Sequence, residues 1–350
     1  MRSRGVPADV GLNSRDGTGI YGMMRYGHTA CDSVSRLCVG LLGVRMSAAS
    51  HRTSRLEPYL DRSEPAPTLL KMLVGVQLAG FREDAGFAQD QAARALGFSP
   101  AKLSRIESGK GRRPPSETDV RALLELYGTE DYESSVLLKL LQRAGEPGWW
   151  QRFDKRLMPE WFDRLVGLQE AAAAIRTFEI QYVPGLLQTA DYTRAVVERG
   201  LPSAAANEVA RRVELRMRRA QLLMREDAPQ LWAVIDESVL LRVLGSREVM
   251  RAQLAHLIEM AKRPNVTVQV IPLDVTNASA PAIPITYLRF GGLDLPDVVY
   301  LEHIKSANFL EDRDETEEYR LALDRLADDA LEPRASLQLL EETMQQRYGG

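Results

Sequence analysis

FAQDQAARALGFSPAKLSRIESG, residues 87–109, decides how the first half of the chain is read. Ala92, Ala93 and Leu96 recur at helical spacing and predict a short helix over residues 89–96. Gly97 stops it, because a residue without Cβ enters the left-handed region at no steric cost. Ser99 then stands as an N-cap, and Pro100 takes the first helical position, where a missing N–H costs nothing. A second helix follows over residues 100–108, closed by Gly109. Leu103 and Ile106 face the core, and Lys102 and Arg105 point away from it. Two short helices on a tight turn, the second with a polar, basic outer face, are how a helix-turn-helix presents a helix to the major groove.

Working outward, residues 68–85 form one longer predicted helix. Leu70, Leu73, Val74, Gln77, Leu78 and Phe81 make its apolar stripe, and Gly86 ends it. On the far side comes a basic loop, residues 110–115. Ser116 caps a fourth helix that ends at Tyr127 and Gly128, with Val120, Leu123, Leu124 and Tyr127 inward. A fifth, residues 131–144, buries Val136, Leu137, Leu140 and Leu141. Five helices in this span make an all-α domain.

At 350 residues the chain has room for two domains and a tail. No apolar run approaches the roughly 18–20 residues that span a bilayer, so no membrane partner is expected. The net charge of -3 gives no hint of a polyanion partner. Between Leu69 and Pro115, however, eight basic residues face four acidic ones, a net +4 that gains weight beside the motif. Both cysteines, Cys31 and Cys38, lie near the start, which excludes a disulfide-stapled core and fits a cytoplasmic protein. With His28 they make three possible ligands at irregular spacing and no fourth, so neither a metal nor a cofactor is assigned. Residues 1–66 are rich in Arg, Ser and Gly and read as a disordered tail or an over-extended reading frame, with translation starting near Met46. VSRLCVGLLGVRM, residues 34–46, resembles a weak signal-peptide core but begins too deep in the chain. The expected domains are 1–66 (tail), 67–145 (helical) and 146–350.

Residues 70–128 resemble the helix-turn-helix domain of the Cro/C1 repressor type, the XRE family. The resemblance is carried by Ala88-Gln89, Ala92-Ala93, Leu96-Gly97, Ser99, Leu103-Ser104-Arg105-Ile106-Glu107 and Gly109. It implies that Gln89 contacts a backbone phosphate and that Ala101, Lys102 and Arg105 meet base edges, with Ser99 and Ser104 flanking. Phage repressors carry glutamines at the start of this helix, where Pro100 and Ala101 stand here. Direct readout therefore leans on Lys102 and Arg105, the latter matched to the O6 and N7 of a guanine. The family also pairs an arginine late in its first helix with a glutamate ending the recognition helix. Arg82 and Glu107 fill those positions and are expected to form a structural, bidentate ion pair.

GEPG, residues 145–148, breaks the pattern, and Trp149-Trp150 opens a different composition. Helical signals run over residues 161–178, 189–199, 205–224 and 247–262, and again over 311–330 and 335–347. Strand-like runs occupy 231–235, 266–271, 285–290 and 298–301. Val266, Val268 and Val270 alternate with Thr267 and Gln269, the period of a strand. The predicted fold class is thus multidomain: an all-α five-helix helix-turn-helix domain followed by a mixed α+β domain. This second half resembles the uncharacterised C-terminal domain attached to XRE-type regulators of actinobacteria, Streptomyces-type regulators in particular. The matching runs are Gly148-Trp149-Trp150, residues 182–192 (YVPGLLQTADY), Asp236-Glu237 with Leu240, Arg242 and Gly245, and residues 263–272 (RPNVTVQVIP). The resemblance implies regulation of development or antibiotic production, or a toxin–antitoxin-like arrangement with a small protein encoded nearby.

Catalytic constellations are weak. Asp236-Glu237 ends a strand, and Glu302 with Lys305 follows another, but their spacing is one residue too long for a restriction-type nuclease, and Glu237 reads better as a bracket on a helix start. His256 and His303 stand alone, and no phosphate loop, serine elbow or zinc spacing occurs, so no enzyme is expected. Residues 182–192 form a turn feeding a helix, with Trp149, Trp150, Trp161 and Phe162 near it in sequence. They read as core in the first instance and as pocket or groove lining in the second. Arg211, Arg212, Arg216, Arg218 and Arg219 make a basic face that could meet nucleic acid or oppose the acidic run 311–318. The function expected is sequence-specific transcriptional regulation: the helix at 100–108 reads double-stranded DNA as part of a homodimer, and the second half supplies dimerisation, a partner surface or ligand sensing. The alternative is an antitoxin-like protein that binds a small partner and autoregulates its operon.

Overall fold

Pro67 occupies the first turn of α1 (Pro67–Asp84), where its missing N–H goes unneeded. The computed structural model describes residues 55–60, 66–111, 113–154, 156–275, 281–291 and 295–349. The expectations for His28, Cys31, Cys38, residues 34–46 and a start at Met46 lie outside these residues, as does Arg112, one of the eight basic residues counted between Leu69 and Pro115. Helix α1 buries more than the predicted stripe: Leu69 and Met72 are covered as well as Leu70, Leu73, Val74, Leu78 and Phe81. The reason is that it is packed from several sides. Helices α2 (Gln89–Ala95), α3 (Pro100–Glu107), α4 (Glu117–Tyr127) and α5 (Asp131–Ala144) complete the five-helix domain, and α1 meets α3, α4 and α5. Across its other side lies α6 (Glu160–Ala171), the first helix of the second half.

The stretch expected as tail contributes to this domain. Residues 57–59 form a 3-10 turn, Leu56 is buried, and Glu57 accepts a hydrogen bond from the Tyr132 hydroxyl at 2.8 Å.

Six strands form one mixed sheet in the order β3-β2-β1-β4-β5-β6. They are β1 (Ala174–Glu179), β2 (Gln230–Asp236), β3 (Val266–Ile271), β4 (Ile285–Arg289), β5 (Val298–Glu302) and β6 (Ala307–Leu310). Strands β1, β2 and β3 run parallel, and β4, β5 and β6 add antiparallel to the other side of β1. The long β1–β2 crossover holds α7 (Ala190–Gly200) and α8 (Ala206–Ala220), and the β2–β3 crossover holds α9 (Glu237–Leu241) and α10 (Arg247–Met260). Helices α11 (Arg313–Asp329) and α12 (Pro333–Tyr348) close the chain. One sheet face, with Phe178, Val234, Tyr287 and Val299, is covered by Leu323 and Leu326 of α11. The other, with Ile175, Leu231, Val268 and Val298, belongs to a core that continues through α10 into α6 and the five-helix domain. A sheet buried on both faces explains why its strands read as apolar runs.

Three elements depart from the sequence expectation. The predicted helix over 161–178 stops at Ala171, and its second part is β1, the central strand. The alanine run 171–174 favours helix locally, but Ile175, Thr177 and Glu179 alternate with Arg176 and Phe178, and pairing on both edges outweighs propensity. Strand β6 lies outside the strand-like runs of the sequence; it has four residues and pairs only with β5. The helix expected over 205–224 ends at Ala220, and its last turn, Gln221–Met224, is 3-10. All described residues belong to one compact unit, and its core runs past residue 145 without a gap. Among them, no helix is long and apolar enough to cross a membrane.

Candidate functional site

Ser99 accepts the Lys102 backbone N–H at 3.2 Å, and Pro100 opens α3 behind it. Leu103 and Ile106 anchor the helix, leaving Pro100, Ala101, Ser104 and Arg105 exposed. Two glycines let α1 and α3 approach. A Cβ on Gly75 would sit 2.4 Å from the carbonyl oxygen of Glu107, and one on Gly109 would sit 2.7 Å from Met72 Cα. Gly109 also has φ +63°, which alone favours glycine.

Glu107 is the hub of the motif. Its Oε1 accepts from Arg82 Nε at 2.7 Å, and its Oε2 accepts from Arg82 Nη2 at 3.2 Å. Both side chains are nearly covered, Arg82 at 9% and Glu107 at 6% exposure. The hydrogen bond to Glu107 holds the Arg82 guanidinium above its ordinary pKa. Gln89, the residue expected on a phosphate, donates from Nε2 to Glu107 Oε2 at 2.8 Å and so adds a third bond to the same carboxylate. Burial, and then the Glu107 charge, push the Tyr127 phenol beside them up to about 12.

The cations of the expected basic patch are mostly occupied. Lys102 is half-buried: its Nζ lies 2.7 Å from Asp119 Oδ1 and 3.8 Å from the centre of the Phe98 ring. Burial pushes the Asp119 carboxyl up, but hydrogen bonds from Lys102 and Ser116 outweigh it and hold it below the usual range. Lys110 reaches into the second half and pairs with Glu311 at 2.8 Å, and Glu311 also takes Arg164 of α6. Arg94 pairs with Asp90 along α2. Arg105 and Arg113 are exposed. No hydrogen bond or ion pair to the Arg105 guanidinium occurs among the described residues, so α3 offers one uncommitted two-pronged donor.

In the second half, Asp236 caps α9 by accepting the Ser238 N–H at 2.9 Å, and Glu237 accepts the Leu273 N–H at 2.8 Å. Trp150 is core, whereas Trp161, Phe162 and residues 182–186 line a cavity of about 980 Å³. The turn at 182–188 is fixed from within. Val183 N–H donates to the Tyr192 hydroxyl at 3.2 Å, and the Gln188 amide donates to the Val183 carbonyl at 2.7 Å.

Arg216 and Arg219, expected on a solvated or nucleic-acid face, line the cavity instead. Arg212, also on its lining, pairs with Glu208, and Arg218 lies over the Trp149 ring at 4.8 Å. Arg212, Arg216 and Arg219 fall at i, i+4 and i+7, a spacing that already marked them as one face. Glu302 reaches the cavity too, accepting from the Tyr300 hydroxyl at 2.8 Å. Neither the Lys102–Asp119 pair nor the Lys110–Glu311 pair was legible, because both partners come from other elements.

Residues 73–136 match the family described as Helix-turn-helix domain, and residues 162–342 match the one described as Domain of unknown function (DUF5753). No curated protein and no solved structure matches the chain.

Proposed function

Because the chain belongs to the family of the Domain of unknown function (DUF5753) and carries a helix-turn-helix domain ahead of it, we propose that it is a sequence-specific transcriptional regulator of the Cro/C1 type. Helix α3 enters the major groove of double-stranded DNA. The observation that carries this reading is the exposed face Ala101, Ser104 and Arg105, with the Arg105 guanidinium free while the rest of α3 is clamped by Glu107. Arg105 donates both prongs to one guanine, which is worth about 1–3 kcal/mol of discrimination. Lys102 contributes once it leaves Asp119. One such helix reads few base pairs, so the chain acts as a homodimer on half-sites about 34 Å apart. The second half sets when this happens, by holding the dimer or by sensing a ligand. No catalytic step is assigned: Asp236 and Glu237 serve as a cap and a backbone acceptor.

Selection of bound sequences from a random duplex pool, repeated with Arg105→Ala, tests the proposal. The wild type is expected to enrich a symmetric site with a guanine in each half, and the variant to lose preference at that position alone. An unchanged site with Arg105→Ala would sink the readout, and no enriched site at all would sink the function.

A further inference from the structure

The cavity in the second half is built for more than packing. Apolar walls come from Trp161, Phe162 and Leu165 of α6, Ile175 and Leu231 of the sheet, and Leu186. Its polar groups converge from α8 and from the ends of two strands: Arg216, Arg219, Glu179 and Glu302. The exposed rim residues His303, Ile304 and Lys305 form the β5–β6 turn. A volume of about 980 Å³ is at the upper end of the range for small-molecule sites.

Arg219 is the telling residue. It is only 6% exposed, and its Nε has no hydrogen-bond partner. Its guanidinium sits 5.1 Å over the Phe162 ring and lies against Gly185, where a Cβ would be 2.3 Å from Nη2. Neither Arg219 nor Arg216 forms an ion pair among the described residues. A buried charge left without an acceptor costs several kcal/mol, a cost that a bound anion removes. A second wall atom, Gln169 Oε1, is likewise buried without a donor.

The charges nearby do not cancel the pair. Burial, followed by repulsion from Glu302, pushes Glu179 up to about 8, which favours its protonated form at pH 7. Glu302 is a single carboxylate, already held by Tyr300. Burial pulls Arg219 down only to about 10, which leaves it a cation. With Lys305 on the rim, the lining is net positive.

We infer that this cavity binds a small amphipathic organic anion, its carboxylate or phosphate seated on Arg216 and Arg219 and its aromatic or branched apolar body against Trp161, Phe162 and Leu165. The two arginines lie three residues apart on α8 and present their guanidinia to one side. The Phe162 ring centre lies 5.1 Å from the Arg219 guanidinium carbon, so an apolar face borders the charge. The inference deepens the ligand-sensing role proposed above, but it stands on the cavity alone.

Calorimetric titration of the full chain with three naphthyl probes of similar shape tests it. 1-Naphthyl phosphate and 1-naphthylacetate carry the anion, and 1-naphthylacetamide is neutral. Both anions are expected to bind one per chain, at least tenfold tighter than the amide, and Arg219→Met is expected to erase that preference. The same variant should melt higher than wild type without ligand, since it replaces an unpartnered buried charge with an apolar side chain. Should Arg219→Met fail to fold, Arg216→Gln supplies the same comparison. The inference is overturned if the amide binds as tightly as the anions, if the preference survives in the folded variants, or if no probe binds the folded wild type. DNA takes no part in these titrations, so failure of the chain to select a duplex would refute the proposed function and leave this result standing.

Discussion

Replacing Glu107 with alanine removes three hydrogen bonds from one buried carboxylate: two from Arg82, at 2.7 and 3.2 Å, and one from Gln89 at 2.8 Å. Arg82 keeps two acceptors, the Phe87 carbonyl at 2.9 Å and the exposed Glu83 at 3.3 Å. Breaking a buried pair from one side typically costs about 3–5 kcal/mol. With those acceptors retained, the lower end applies, about 3 kcal/mol, or roughly a 150-fold rise in local opening at about 1.4 kcal/mol per tenfold. Helix α3 stays attached through Leu103 and Ile106, so the loss falls on the helix and not on the whole chain. Amide hydrogen exchange of residues 99–109, measured where exchange reports the opening equilibrium, reads that quantity directly. The companion variants are Arg82→Met and Glu107→Leu, and the double variant Arg82→Met/Glu107→Leu completes the cycle. Each single variant strands a buried group, while the double strands only Gln89. The double is therefore expected to cost no more than either single, giving a coupling of at least about 3 kcal/mol. Additive losses would refute the reasoning, since Arg82 and Glu107 would then be stabilising α3 independently.

Asp119→Asn weakens the hold on Lys102, which lies 2.7 Å from that carboxylate; sites selected from a random duplex pool should gain a base preference beside the Arg105 guanine, and an unchanged selected site counts against Lys102 having been withheld. Gly109→Ala meets both a φ of +63° and a Cβ contact 2.7 Å from Met72 Cα, so thermal melting should show a loss above about 1 kcal/mol, and a neutral result would mean that α1 and α3 separate freely. Glu179, facing Glu302, Arg219 and Thr177, ionises near 4.5 ordinarily but near about 8 in the fold. Between those values the folded chain holds a proton that the unfolded chain has released, so stability falls as pH rises through the window, by at most about 1.4 kcal/mol per unit. Glu179→Gln should remove that slope in melting curves from pH 5 to pH 8.5, and parallel curves for both proteins would place Glu179 in contact with bulk water.

The five-helix domain was legible because its signals are local. Ser99 and Pro100 start α3, Gly97 and Gly128 end their helices in the left-handed region, and the buried positions of α4 and α5 follow the helical period. Four of the six strands were legible for a similar reason, as apolar runs bounded by turns. Strand β1 was not, since the alanines before it favour helix and only its neighbours β2 and β4 make it a strand. The site divides along the same line. Arg82 and Glu107 came from a resemblance in pattern, and the structure places them in contact. The engagements of Lys102, Lys110 and Gln89 depend on partners 17, 201 and 18 residues away. Residue type alone cannot separate an arginine on a solvated face from one lining a cavity.

Helix α6 ties the two halves mechanically. One side supplies Trp161, Phe162, Leu165 and Gln169 to the cavity. The other meets α1 at Gly167, where a Cβ would fall 2.0 Å from Thr68 Oγ1, so the Thr68 side chain seats directly on the α6 backbone. Three residues further along α1, Lys71 donates to the Gly111 carbonyl at 2.5 Å, in the loop that leaves α3. That loop is held a second time by Lys110 on Glu311, and Glu311 follows β6, whose turn from β5 forms the cavity rim. Two routes thus run from the cavity to the end of α3, one through α6 and α1 and one through β6, and they meet at Glu311, which holds both Lys110 and Arg164 of α6. Close-packed interiors do not deform gradually; they pass between discrete packings. A group wedged against Phe162 and Arg219 must therefore either fit the present position of α6 or move it together with α1. A ligand that suits every packing equally shifts none of them; only one that favours a single position of α6 would bias the seat of α1 and of the loop after α3.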